Sequence, residues 1–162
     1  MRTRSAEIRL LLQLIDEAYE RKTWHGPNLK GSLRRVSAEE AAWRPSANRH
    51  NIWEIAVHAA YWKYAVRRRL LDGKRGSFPL KGSDWFKLPA DKSEALWKEH
   101  LHLLEQTHRS MRDAIEQFPA SKLYATTPHS KVTNIAVIYG IANHDIYHAG
   151  QIQLLKRLRE KK

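Results

Sequence analysis

Residues 133–159 read TNIAVIYGIANHDIYHAGQIQLLKRLR, and this stretch decides the fold. Ile138, Ile141, His144, His148, Ile152 and Leu155 advance by three or four, the step of one helical face. A helix therefore starts near Thr133 or Asn134 and runs to about Arg159, with two histidines on its apolar stripe. Such a stripe must be buried against other elements. Three further stretches have the same period. The first runs from Ser5, a suitable cap, to Arg21, with Ile8, Leu11, Leu12, Ile15 and Ala18 on one face. The second runs from Asn51 to about Leu71, opened by Asn51 and Glu54 at capping-box spacing and striped by Ile55, His58, Ala59, Trp62 and Val66. The third starts near Asp91, paired with Glu94, and carries Trp97, Leu101, Leu104, His108, Met111, Ile115 and Phe118 up to Pro119. No segment alternates with period two. The expectation is an all-α four-helix bundle, one domain over residues 1–162. The connections are long enough for crossovers, and Ser37-Ala38-Glu39-Glu40 opens a short helix inside the first of them.

The composition narrows the function. There are 162 residues, nine histidines and no cysteine. Disulfides, thiolate metal ligands and a cysteine nucleophile are excluded. The formal charge is +12, from 29 Lys+Arg against 17 Asp+Glu. No apolar stretch approaches the roughly 20 residues of a membrane span. The basic N-terminus Met1-Arg2-Thr3-Arg4 is followed by Glu7 and Arg9 and lacks the form of a leader, so a soluble cytoplasmic protein is expected. Histidines point to a metal site, and the basic charge to an anionic partner.

Most histidines are uninformative. His50 and His129 fall in loops, and His100 and His102 beside the third stripe. His144 and His148 differ, because residues four apart on a helix stack on one side. Two imidazoles at that spacing can converge on one ion. His58, on the second stripe, can supply a third ligand, leaving a position open for water or substrate. The competing reading of each is a hydrogen-bonded core histidine. His144-Asp145-x-x-His148 is not the zinc-peptidase motif, which needs Glu as its second residue. A di-iron carboxylate site needs two Glu-x-x-His motifs, and only Glu105–His108 fits. His108 is then a core histidine or a pocket residue.

Two segments carry a family resemblance. His144-Asp-Ile-Tyr-His148-Ala-Gly-Gln151-Ile-Gln-Leu-Leu resembles the last-helix signature of the DinB/YfiT-like superfamily, which is unrelated to the polymerase of that name. Asn51-Ile-Trp53-Glu-Ile-Ala-Val-His58-Ala-Ala-Tyr-Trp62 resembles its second-helix signature. The resemblance covers nearly the whole chain. It implies an up-down-down-up bundle with long crossover loops and a divalent metal on His58, His144 and His148. It also implies either a metal-dependent hydrolase acting on an unknown small molecule or an S-transferase or isomerase that uses a low-molecular-weight thiol. Homodimers are common in the family. Zinc, nickel, iron and manganese are all open. Without cysteine, any thiol chemistry must use a cosubstrate.

Helical geometry adds candidates around this triad. Gln151 lies on the ligand face, three residues after His148. Glu54, one turn before His58, either orients that ring or only caps its helix. Trp62 reads as core. His25, in the turn Trp24-His25-Gly26-Pro27-Asn28, is a candidate acid-base group. The loop Phe78 to Phe86, with Trp85, reads as a lid or as a surface loop pinned by its aromatics. Two readings of other classes remain. A metal-stabilised structural bundle would close the coordination shell, with His108 or a carboxylate as fourth ligand. A nucleic-acid module would use Arg67-Arg68-Arg69 and the tail Lys156-Arg157-Leu-Arg159-Glu-Lys161-Lys162. The charge is spread over Lys30, Arg34, Arg35, Lys74, Arg75, Lys81 and Lys87 as well, which favours a solvated surface that at most attracts an anionic small molecule.

Overall fold

A computed structural model describes residues 5–73, 77–127 and 130–160. Lys74, Arg75, His129, Lys161, Lys162 and the basic start Met1–Arg4 lie outside the described residues. The described chain is all-helical: α1 (Ala6–Tyr19), α2 (Leu29–Ser32), α3 (Ala38–Ala42), α4 (Ile52–Leu70), α5 (Glu94–Glu116) and α6 (Asn134–Glu160), with a 3-10 turn at Ala120–Lys122. Four are long, as the periodicity predicts. The two-turn-or-shorter α2 and the 3-10 turn are too short to show a period.

The caps set the boundaries. Ser5 Oγ accepts from Ile8 N–H, and both Asn51/Glu54 and Ser37/Glu40 form capping boxes. The start of α5 differs from expectation. Ser93, not Asp91, caps it, and Asp91 instead accepts from Ser93 N–H at 2.9 Å. Glu94 reaches across to Ala38 N–H at 2.6 Å, tying the start of α5 to that of α3. Three arginines, Arg67–Arg69, occupy the last turn of α4, where cations complement the carbonyl end of the dipole.

α4 packs on α5 and α6, and α1 closes the bundle against α6 and α5. The apolar interior is split into two clusters. One joins Ile52–Ala60, Trp97, Leu104, Ile152 and Leu155. The other joins the α1 stripe, Val66, Leu70, Met111, Ile115, Ile138 and Ile141. A buried polar residue stands between the two apolar runs on each of three helices: Lys63 on α4, His108 on α5 and Asp145 on α6. Lys63 Nζ donates to Asp145 Oδ2 and lies 5.2 Å from the Tyr19 ring centre, while Tyr19 stacks on His108 at 3.6 Å. Burial pushes the Lys63 ammonium below its usual range and the Asp145 carboxyl above it, opposed by their mutual attraction.

His100 has a structural role. It is buried, and its Nδ1 accepts from Trp53 Nε1–H at 2.7 Å, whereas His102 is exposed. The indole donor needs a buried acceptor, and the imidazole supplies it.

Two outcomes follow. Asp145→Ala leaves a buried ammonium without its counter-ion and should cost about 3–5 kcal/mol in urea unfolding, most of it regained in Lys63→Met/Asp145→Leu. His108 is held neutral, its pKa pushed down to about 2 by burial and by Lys63, Arg109, Arg112 and Lys30. The unfolded chain takes up that proton below about pH 6.5, so folding stability falls as pH drops from there, by about 1.4 kcal/mol per pH unit for this group. His108→Phe should remove that part of the slope, read from urea midpoints between about pH 6.5 and 4.

Candidate metal centre

His58 projects from the middle of α4, and His144 and His148 from successive turns of α6. Their Nε2 atoms converge. His144 Nε2 lies 3.1 Å from His58 Nε2 and 3.0 Å from His148 Nε2. Among the described residues these three form a group able to hold a metal ion, with one ligand atom each within 4.8 Å of the others.

The opposite ring nitrogens show why. His58 Nδ1 is 2.8 Å from the Asp84 carbonyl, which can only accept, so that nitrogen carries the hydrogen. His148 Nδ1 is 2.7 Å from Gln151 Oε1, whose amide Nε2 donates to Tyr147 Oη at 3.1 Å. His148 Nδ1 is therefore also protonated. Both rings must present Nε2 lone pairs toward His144. A proton on His144 Nε2 could serve only one of the two contacts, whereas a cation would serve all three nitrogens. A tetrahedral zinc with Zn–N bonds of about 2.0–2.1 Å separates its ligands by about 3.3 Å, close to these spacings. The donor set thus fits a divalent ion. Burial keeps all three rings neutral, as ligands must be: His144 is pushed down to about 3, with His148, His58 and Lys63 adding to the effect, His148 to about 4, and His58 below its usual value although Asp84 opposes this.

The surroundings correct several expectations. Among the described residues Glu54 makes no hydrogen bond to His58. It completes the Asn51 cap, takes a bidentate pair from Arg44 at 2.5 and 2.9 Å, and meets His50 Nδ1 at 3.1 Å. Of its two foreseen roles, the structure shows the cap. The residue that orients His58 is Asp84, which linear spacing could not reveal, being 26 positions away. Asp84 adopts φ 62°, a left-handed conformation that Asp tolerates better than most residues. Its Oδ1 also accepts from Trp62 Nε1–H at 2.8 Å. Trp62 is consequently not core but 39 % exposed, edge-on to His58 and His144 at the rim. Its polar N–H is satisfied there and would not be in the interior.

The loop around Asp84 is a wall. Phe78 and Phe86 are buried against Tyr61. Trp85 is clamped between His50 at 3.6 Å and His58 at 3.9 Å, all three rings nearly parallel. Of the two readings of this loop, the geometry is that of aromatics pinning it to the bundle. His25 sits in an exposed turn beside Trp24 and is not among the histidines gathered here. His108 is stacked under Tyr19, with neither ring nitrogen hydrogen-bonded among the described residues.

A groove of about 280 Å³ opens beside His144, between α4 and α6. Trp62, Val66 and Ile141 make it apolar, and Arg69 also lines it. Several of the basic residues singled out in the sequence are engaged within the fold, while Arg34, Arg35 and Arg157 are exposed. Arg68 lies over Tyr64, Arg69 donates to the Val132 carbonyl, Lys156 to Ser32 O, and Arg159 pairs with Glu39 and Glu40.

Because Gln151 fixes the tautomer of His148, Gln151→Ala should weaken divalent-ion affinity by about 10–100-fold, measured by chelator competition, with unfolding little changed.

No curated protein and no solved structure matches the chain. The DinB superfamily matches over residues 21–152, a span holding all three histidines, Asp84 and Gln151. Most of the chain is covered, and the protein belongs to the DinB superfamily.

Proposed function

We propose that this chain is a divalent-metal-dependent enzyme, in the first place a hydrolase of a small molecule, with the ion on His58, His144 and His148. The observation that carries the reading is the convergence of three neutral Nε2 atoms, two with lone pairs fixed from outside, beside a groove. A bound divalent cation would supply Lewis acidity there, bringing the ionisation of a water or a small thiol toward neutral pH.

The chain's own residues would do the rest. The Asp84 carbonyl and Gln151 hold two rings in orientation. Trp85 covers one face of His58, and Trp62 stands at the rim, so both restrict water. The Asp84 carboxylate, half exposed at the same rim, accepts from Trp62 Nε1–H and lies 3.3 Å from His58 Nδ1, which holds both rings in place. The groove suits a substrate with an apolar body. Three imidazoles without thiolate suit zinc, nickel or iron better than manganese, which favours carboxylate oxygen.

A second reading is transfer or isomerisation with a low-molecular-weight thiol. Because the chain has no cysteine, the thiol in that reading would come from a cosubstrate. A closed structural site is less well supported: His108, the fourth histidine it could use, is stacked on Tyr19 instead. A nucleic-acid module is disfavoured by the engagement of Arg68, Arg69, Lys156 and Arg159 within the fold.

Purified protein reconstituted with zinc, nickel or iron and then desalted should retain about one equivalent per chain, lost in His58→Ala and His144→Ala. Less than about a tenth of an equivalent in the wild type for every ion would sink the proposal. Turnover of ester and amide libraries without added thiol separates the hydrolase from the thiol-dependent reading.

A further inference from the structure

A second cavity, of about 550 Å³, opens between α4, α5 and the loop that carries Trp85, and it shares no lining residue with the groove beside His144. Its size is that of a small-molecule pocket. Val57 of α4, Leu96 of α5 and Leu80, Phe86 and Leu88 of the loop make most of its wall apolar. It meets the three gathered histidines only through Trp85, which lines it and stacks on His58 at 3.9 Å.

The uncommitted polar side chains in this wall are all donors. His100 lines the cavity and is 7 % exposed. Its Nδ1 is taken as acceptor by Trp53 Nε1–H at 2.7 Å, so the hydrogen of the neutral ring sits on Nε2, at the other edge. That N–H finds no acceptor among the described residues, whereas a donor this deeply buried normally has one. Trp85, like any indole, can only donate. Lys81 and Lys87 line the cavity from its exposed side and make no ion pair among the described residues. Glu54 is the one carboxylate in the lining, and its capacity is spent. Oε1 accepts from Arg44 and from Leu88 N–H, Oε2 from Arg44 and Asn51 N–H, with His50 Nδ1 beside it, and Arg44 balances its charge. Glu99, next to His100 in the sequence, is exposed and does not line the cavity.

We propose that this cavity binds a small carboxylic acid with an apolar body, of the class of medium-chain fatty acids. The carboxylate accepts from His100 Nε2–H, and Lys81 and Lys87 supply the countercharge. Each feature of the wall selects part of that ligand. The apolar lining calls for hydrocarbon. The orphan N–H calls for an acceptor, and a ligand rich in donors or cations would find none for itself. The two ammonium groups call for an anion, which a chain of formal charge +12 also attracts from solution. A phosphate would demand the forked, many-donor cradle that arginine provides, and the lining holds no arginine. The binding does not rest on a metal at the histidines.

Decanoate is the probe. Calorimetric titration of the purified protein should show one equivalent bound, with a dissociation constant of roughly 10–100 µM, as suits a ligand of about a dozen heavy atoms. Decylammonium, with the same chain and opposite charge, should bind at least about tenfold more weakly. Lys81→Gln/Lys87→Gln should weaken decanoate about tenfold and flatten its dependence on salt. Leu96→Trp, which fills the cavity, should weaken it more than about 100-fold, with circular dichroism unchanged. In protein isotopically labelled at its histidine nitrogens, decanoate should shift the His100 Nε2 resonance. His144→Ala should bind as the wild type does, which separates this cavity from coordination of the carboxylate by an ion on the histidines. No binding at about 1 mM decanoate, equal affinity for decylammonium, undiminished affinity in either cavity variant, an unmoved His100 resonance, or loss of binding in His144→Ala would overturn the proposal.

Discussion

The buried pair of Lys63 and Asp145 is the constraint on which the arrangement of this bundle turns. Each ion alone would be costly in an apolar interior, and together they are tolerated only in contact. That requirement fixes how α4 lies along α6. A slide of one helical turn, about 5.4 Å, would separate the ions. His58 lies five residues before Lys63, and His144 immediately precedes Asp145. The register that pairs the ions therefore also brings the three histidines together. An apolar stripe by itself would tolerate a slide, because one aliphatic contact resembles the next.

The centre is completed by a segment from outside the four long helices. Phe78 and Phe86 anchor the loop in the core, and the left-handed turn at Asp84 delivers a carbonyl to His58. Trp85 then fills the space between His50 and His58, and Glu54 steadies His50 from below. On the other side, Gln151 holds His148 from the same helix. One ligand ring is thus oriented locally and another by a distant loop, and both present the same nitrogen inward. That agreement separates this cluster from histidines that merely share a core.

The legibility of these parts differed for definite reasons. The long helices were readable because a period of 3.6 leaves a mark over many turns, and Asn51, Ser37 and Ser5 mark their starts. Asp91 misled because Ser93, two residues on, offers a better-placed cap acceptor. Trp62 misled because an aromatic at a stripe position reads as core until a partner for its N–H is known. Gln151 was visible by its spacing from His148. Asp84 was not, since nothing in a loop sequence tells which carbonyl will meet which imidazole.

Sequence alone determined the all-helical class, the positions of the long helices and the candidacy of His58, His144 and His148, because these depend on short-range periodicity and side-chain chemistry. Tertiary structure decided which nitrogens converge, that Asp84 rather than Glu54 orients His58, and that Trp62 stands at the rim. Those outcomes depend on the register between helices and on loop conformation, and both are set by contacts between residues far apart in the chain.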